Sequence, residues 1–204
     1  MTERRTVSVS GSGQAAAVPD VMRLDVGVAV VEPNVSAAME RAAASMQAVL
    51  DALLGAGVAR RDLATSQLSV YPQNRSGDEP WISGYEVTNM LTVTIRDLGA
   101  ASAILAAATA AGGDDLRVHS IALIIDDPSV PRSLARDAAF ADARARADQY
   151  ARLAGASLGQ VLEVNEDSPS FGPAPRMTAY AASMPVESGE QQLSASVNVV
   201  FELS

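Results

Sequence analysis

The chain carries one histidine. His119 lies between Val118 and Ser120 in a run of strand-forming residues. Nucleophilic catalysis of the Ser-His-Asp kind needs that imidazole beside a serine on a strained strand-to-helix elbow, and the Gly-x-Ser-x-Gly stretch that the chain does have, Gly155 to Gly159, follows a helix instead. A metal site would need carboxylates to complete the ligand set. His119 therefore reads as a structural or surface residue. Three acidic pairs, Asp114-Asp115, Asp126-Asp127 and Glu166-Asp167, stand at the ends of predicted elements. Neighbouring residues of a strand point to opposite faces, so such a pair does not share one site. The pairs read as solvated turn residues, with weak cation binding as the alternative. Gly11-Ser12-Gly13 has the look of a phosphate loop, but no third glycine or Gly-Lys-Ser/Thr follows, and Gln14 to Ala17 leads to Pro19 instead of a patterned helix. It reads as a glycine bulge at a strand end. Thr65 and Asn89 are polar residues inside strand-like runs, and Asp97 is placed to cap the helix it precedes. No catalytic residue, cofactor site or metal site is assigned.

Composition narrows the classes further. At 204 residues the chain predicts a single domain over 1–204, or one domain with two lobes. There is no cysteine, which excludes disulfides, thiolate metal sites and a cysteine nucleophile. A net charge of −9 argues against nucleic acid as a partner, since that partner demands a concentrated basic footprint. No window approaches the roughly 18 consecutive apolar residues of a membrane span. The opening MTERRTVSVSGSG has two arginines and no apolar segment behind them. That predicts a cytoplasmic protein, with a periplasmic or exported location as the alternative if a signal was removed.

The elements follow from periodicity. Thr6 to Ser10 alternates as a strand that ends at the glycines. Met22, Leu24, Val26, Val28 and Val30 form the apolar face of a second strand. Pro33 and Asn34 end it and start a helix to about Leu54, whose stripe includes Met39, Met46 and Leu50 and whose stop is Gly55 with Gly57. Asp62 to Pro72 reads as a strand with Leu68 and Val70 on its inner face. It pairs as a hairpin with the strand carrying Tyr85, Val87, Asn89, Leu91, Val93 and Ile95. Asp97 opens a short helix closed by Gly112-Gly113. Leu116 to Asp126 is apolar on both faces, as expected of a central strand or one covered on both sides. A long third helix follows Pro128 and Pro131, then strands at Val161 to Glu166 and Leu193 to Leu203. The order predicts an α+β fold with about seven strands, mainly antiparallel, and three helices.

The third helix is alanine-rich and salted with charge. Asp142/Arg146 and Asp148/Arg152 stand at i, i+4. Phe140, Ala143, Ala147, Ala151 and Ala154 lie close to one face, which predicts packing on the protein's own sheet or a helix–helix contact between subunits. Residues 168–189 form a proline-rich irregular loop, long enough to be functional or disordered. Trp81, Phe140, Phe171, Met177, Tyr180 and Met184 are the candidate interface residues.

Taken together the chain resembles the SIMPL-domain family. The resemblance is carried by Val9 to Gly13, Pro19-Asp20, Gly57-Val58 with Asp62 to Thr65, Tyr71-Pro72, Gly84-Tyr85, Asn89, Val93 to Leu98, the Ala138 to Ala147 run, Leu158-Gly159 and Val197 to Leu203. It implies a bacterial protein of a kind that is mostly periplasmic or exported and is linked to oxidative and envelope stress. One such member is an antigen that assembles into hollow rings, and a mammalian relative associates with a signalling kinase. No catalytic residues come with the resemblance. The function expected is a non-enzymatic, stress-associated, soluble homo-oligomer, ring-like in form, with a protein partner as a further expectation. The alternative is a small-molecule or peptide-binding module with the 168–189 loop as a lid.

Overall fold

The computed structural model describes residues 5–75, 81–167 and 189–204. Among them are seven strands and three α-helices in two antiparallel sheets, an α+β architecture. The described residues divide into two compact units: residues 20–124, and the flanking residues 5–19, 125–167 and 189–204.

The contiguous unit holds β2 (Val21–Glu32), α1 (Val35–Gly55), β3 (Leu63–Arg75), β4 (Trp81–Ile95), α2 (Ala101–Gly112) and β5 (Leu116–Ile124). Its sheet runs in the order β3-β4-β2-β5. Leu24, Val26 and Val28 of β2 and Val87, Leu91 and Val93 of β4 bury one face against Ala38, Met46, Val49 and Leu53 of α1 and Ile104 of α2. Local signals set the helix limits. Asn34 Oδ1 accepts the N–H of Ala37 over 2.9 Å. Gly57, at φ 97°, makes the turn out of α1 that a side chain would resist. Asp97 Oδ1 accepts from Gly99 N over 2.9 Å and Ala100 N over 3.3 Å, as a cap should.

Two expectations fail in this unit. Leu68 and Val70 do lie on the inner face by register, across from Asn89 and Val87. Yet they are 56% and 38% exposed, because α1 lies over β2 and β4, and of β3 it is Leu63 that packs against the core. β5 is an edge strand, not a central one. Its apolar density arises at a bulge: Ser120 pairs with Asp25 and Val118 with Val26, leaving His119 extra. The slip puts Val118 on the same core face as Ile121 and Leu123.

The flanking unit holds β1 (Thr6–Ala17), α3 (Ser129–Leu153), β6 (Leu158–Glu166) and β7 (Gln191–Leu203), with sheet order β1-β7-β6. β1 runs unbroken past Gly11 and Gly13 in regular register with β7, so the expected glycine bulge is absent. The glycines serve a close approach instead. A methyl group on Gly11 would collide with the carbonyl oxygen of Ala139, and one on Gly13 with that of Ala135. The facing stripe of α3 is Ala135, Ala139, Ala143, Ala147 and Ala151, all buried at strict i, i+4 spacing. Ala154, expected on that face, is exposed beyond the last turn. The stripe packs on the sheet of its own unit, so the alternative of a subunit contact through these alanines is withdrawn.

Candidate functional site

The residues that could do chemistry are held apart by separate structural partners. Asp25 lies mid-strand on β2 and accepts hydrogen bonds from Ser120 Oγ at 2.6 Å and Thr92 Oγ1 at 2.7 Å. These are its register partners on β5 and β4, so the three side chains bridge three strands. Partial burial raises the Asp25 pKa, but the two hydroxyl donors, with Arg23 and His119 nearby, hold it below the ordinary carboxylate value. A serine that donates to a carboxylate, with no imidazole between them, is not an activated nucleophile.

The acidic pairs split in the same way. Asp115 takes a two-pronged contact from Arg41, at 2.8 and 3.3 Å, and the hydroxyl of Ser45 at 2.9 Å. Arg41 also reaches Glu32 at 2.7 Å. Asp127 accepts the Ser129 N–H at the start of α3 over 2.9 Å. Glu166 pairs with Arg136 at 2.7 Å, and Asp167 accepts from Asn198 at 3.1 Å. Among the described residues no group of three or more His, Asp or Glu could hold a metal ion.

The flanking unit offers a different kind of site, two sheet edges with opposite treatment. The Ser10 carbonyl and the Ser12 N–H of β1 point away from β7, to the edge where a strand leaves backbone groups unpaired. α3 occupies them. Asp142 Oδ2 accepts the Ser12 N–H at 2.9 Å, and Arg146 donates to the Ser10 carbonyl at 3.1 Å. Asp142 and Arg146 also pair with each other at 2.8 Å. The Ser12 N–H, helped by Arg146, lowers the Asp142 pKa against a smaller opposing effect of burial. Asp148 and Arg152, at the same spacing, form no such pair. At the far edge, β6 is exposed from Gly159 to Glu166, and α3 hardly covers it. Val161 is 41% and Val164 50% exposed there, with Leu162 also open.

In the contiguous unit the uncovered face of β3 and the flank of α1 bound a shallow trough. Leu50 and Leu54 of α1, Leu63 and Thr65 of β3 and Leu91 of β4 line it, with Gln47 and Arg60 at its rim. Asn89 shares the inner face of β4 with Leu91, and its buried Oδ1 has no hydrogen-bond partner among the described residues.

Of the six interface candidates, Phe140 packs inside the flanking unit. Its ring stands 6.5 Å from that of Phe201 at a 49° tilt. Trp81 begins β4, across from Arg75. Phe171, Met177, Tyr180 and Met184, and with them all of the proline-rich loop but Gly189, lie outside the described residues. The clamp of Asp142 and Arg146 on β1 and the trough were not read from sequence. The first had a signal in Gly-x-Gly opposite alanines four apart. The second had none, because exposed Leu68 and Val70 alternate just as buried residues do.

No helix of the described residues is long and apolar enough to cross a membrane. A sequence model of the SIMPL family, described as proteins of unknown function (DUF541), matches residues 7–201. The 26 kDa periplasmic immunogenic protein of Brucella melitensis is 36% identical over 220 residues, covering 99% of this chain and 86% of its own. Its counterpart in Brucella abortus matches equally. The uncharacterized protein YggE of Escherichia coli K12 is 26% identical over 205 residues, covering 97% and 82%. The cytoplasmic expectation is corrected by the periplasmic relatives. A cysteine-free α+β fold is compatible with either compartment, so the folded residues carry no address.

Proposed function

Because this chain belongs to the SIMPL family, whose molecular role is not established, we propose that it is a periplasmic, non-enzymatic protein that self-assembles through the open edge of β6. The observation that carries this reading is the asymmetry of one small sheet. The β1 edge is closed by Asp142 and Arg146, while β6 has no second strand neighbour among the described residues and exposes Val161, Leu162 and Val164. An exposed apolar edge strand is a template for another strand. Pairing of β6 with β6 is isologous and closes at two copies, so a ring would need a second contact between dimers. The periplasmic location rests on the relatives' names, and the link to oxidative stress on the family resemblance alone.

Light scattering on a sizing column across a concentration series tests the reading. The wild type should run as dimers or a larger discrete assembly. Leu162→Lys with Val164→Lys, which puts charge on both faces of the edge, should shift it to monomer with unchanged circular dichroism. A wild type that stays monomeric at every concentration would sink the proposal.

A further inference from the structure

We infer that the trough between α1 and β3 binds a single-chain amphiphile with an anionic head, such as a medium-chain carboxylate. This goes beyond assembly and does not depend on it. Two observations carry it. Four leucines, Leu50, Leu54, Leu63 and Leu91, converge in the trough, and Thr65, Gln47 and Arg60 make up the polar part of its lining. Leu68 and Val70 add exposed apolar surface further along the same face of β3.

The second observation is charge. The chain has a net charge of −9, yet the rim is locally cationic. Arg60 and Arg61 stand in one turn with Asp62. Asp62 is engaged by Arg96 at 3.0 Å and Arg61 at 3.9 Å. The guanidinium of Arg60 has no hydrogen bond or ion pair among the described residues, and it borders the trough. A planar, permanently charged fork above a leucine surface suits a carboxylate whose tail is apolar. Gln47 at the opposite rim holds its amide toward Asp51 at 2.9 Å, so Arg60 supplies the charge selection.

The test uses the full chain and sodium dodecanoate below its micelle concentration, followed by isothermal titration and by leucine methyl chemical shifts. The expected result is saturable one-to-one uptake with shifts at Leu50, Leu54 and Leu63. Arg60→Gln should weaken binding by roughly three- to tenfold, the scale of an exposed charge-assisted contact. Arg61→Gln should leave it unchanged. Dodecyl maltoside, a neutral head on the same tail, should bind more weakly than dodecanoate and be indifferent to Arg60→Gln. Absence of saturation, shifts that map elsewhere, or binding that ignores Arg60→Gln would overturn the inference. So would sedimentation with phosphatidylglycerol vesicles without uptake of monomeric dodecanoate, which would assign these arginines to a bilayer surface.

Discussion

The Ser12 backbone N–H donates to Asp142 Oδ2 over 2.9 Å, and this bond from helix to strand closes the free edge of β1. Its pH dependence has a definite sign. The folded-state pKa of Asp142 is lowered, chiefly by the Ser12 N–H. Its contribution to stability is therefore present above the unfolded value of about 3.9 and is lost as pH falls through the folded value. Asp142→Asn should melt below the wild type at pH 7, and the two curves should converge in acid. A gap that persists at the lowest pH would mean that the carboxylate charge is not what matters.

Gly11 and Gly13 are the two tight points of the α3 contact. Gly11→Ala forces its methyl against helix backbone, which cannot rotate away as a side chain would. The expected loss is about 1–3 kcal/mol or more, read as a lowered urea midpoint. Ser10→Ala, on the other face of the same strand, should change it little.

Asp97 satisfies two N–H groups at the turn before α2. Asp97→Ala should cost about 1 kcal/mol. Asp97→Asn should recover most of that loss, since an amide oxygen can accept the same bonds. An unchanged melting temperature in the alanine variant would refute the cap.

Asn89 presents a buried oxygen with no described partner. Asn89→Val matches the β-branched neighbour Val87 and removes the desolvated group. It should raise stability by about 1 kcal/mol. A lowered denaturation midpoint would show that the oxygen is engaged after all.

Much of the architecture was legible because the relevant forces are local. Alternation in Leu24, Val26 and Val28, the Asn34 cap and the glycines after α1 and α2 each act within a few residues. What failed depends on who covers whom. Leu68 carries a core pattern without a core above it, since helix placement is settled by α1 and α2 packing on β2 and β4. Gly11 and Gly13 were read as a bulge because a glycine that bends a strand and one that admits a helix look alike in one dimension. His119 made β5 seem central by shifting its phase. The candidate site was less legible still. Asp142 and Arg146 are legible as a pair, but their backbone partners lie 130 and 136 residues away.

The pairing of β1 with β7 also sets an order of events. Thr6 meets Glu202, so the partner of β1 is synthesised after all the other described elements. Residues 20–124 close their sheet within about a hundred residues, whereas the flanking sheet is dominated by contacts of very high sequence separation. Such contacts bear the full loop-closure entropy and form late. Until β7 is available, the alanine stripe and the glycine strand have only each other to lie on. A chain of this design can finish one half of its structure early but must hold the other half open until β7 is made, leaving the β7-facing edge of β1 unpaired for that interval.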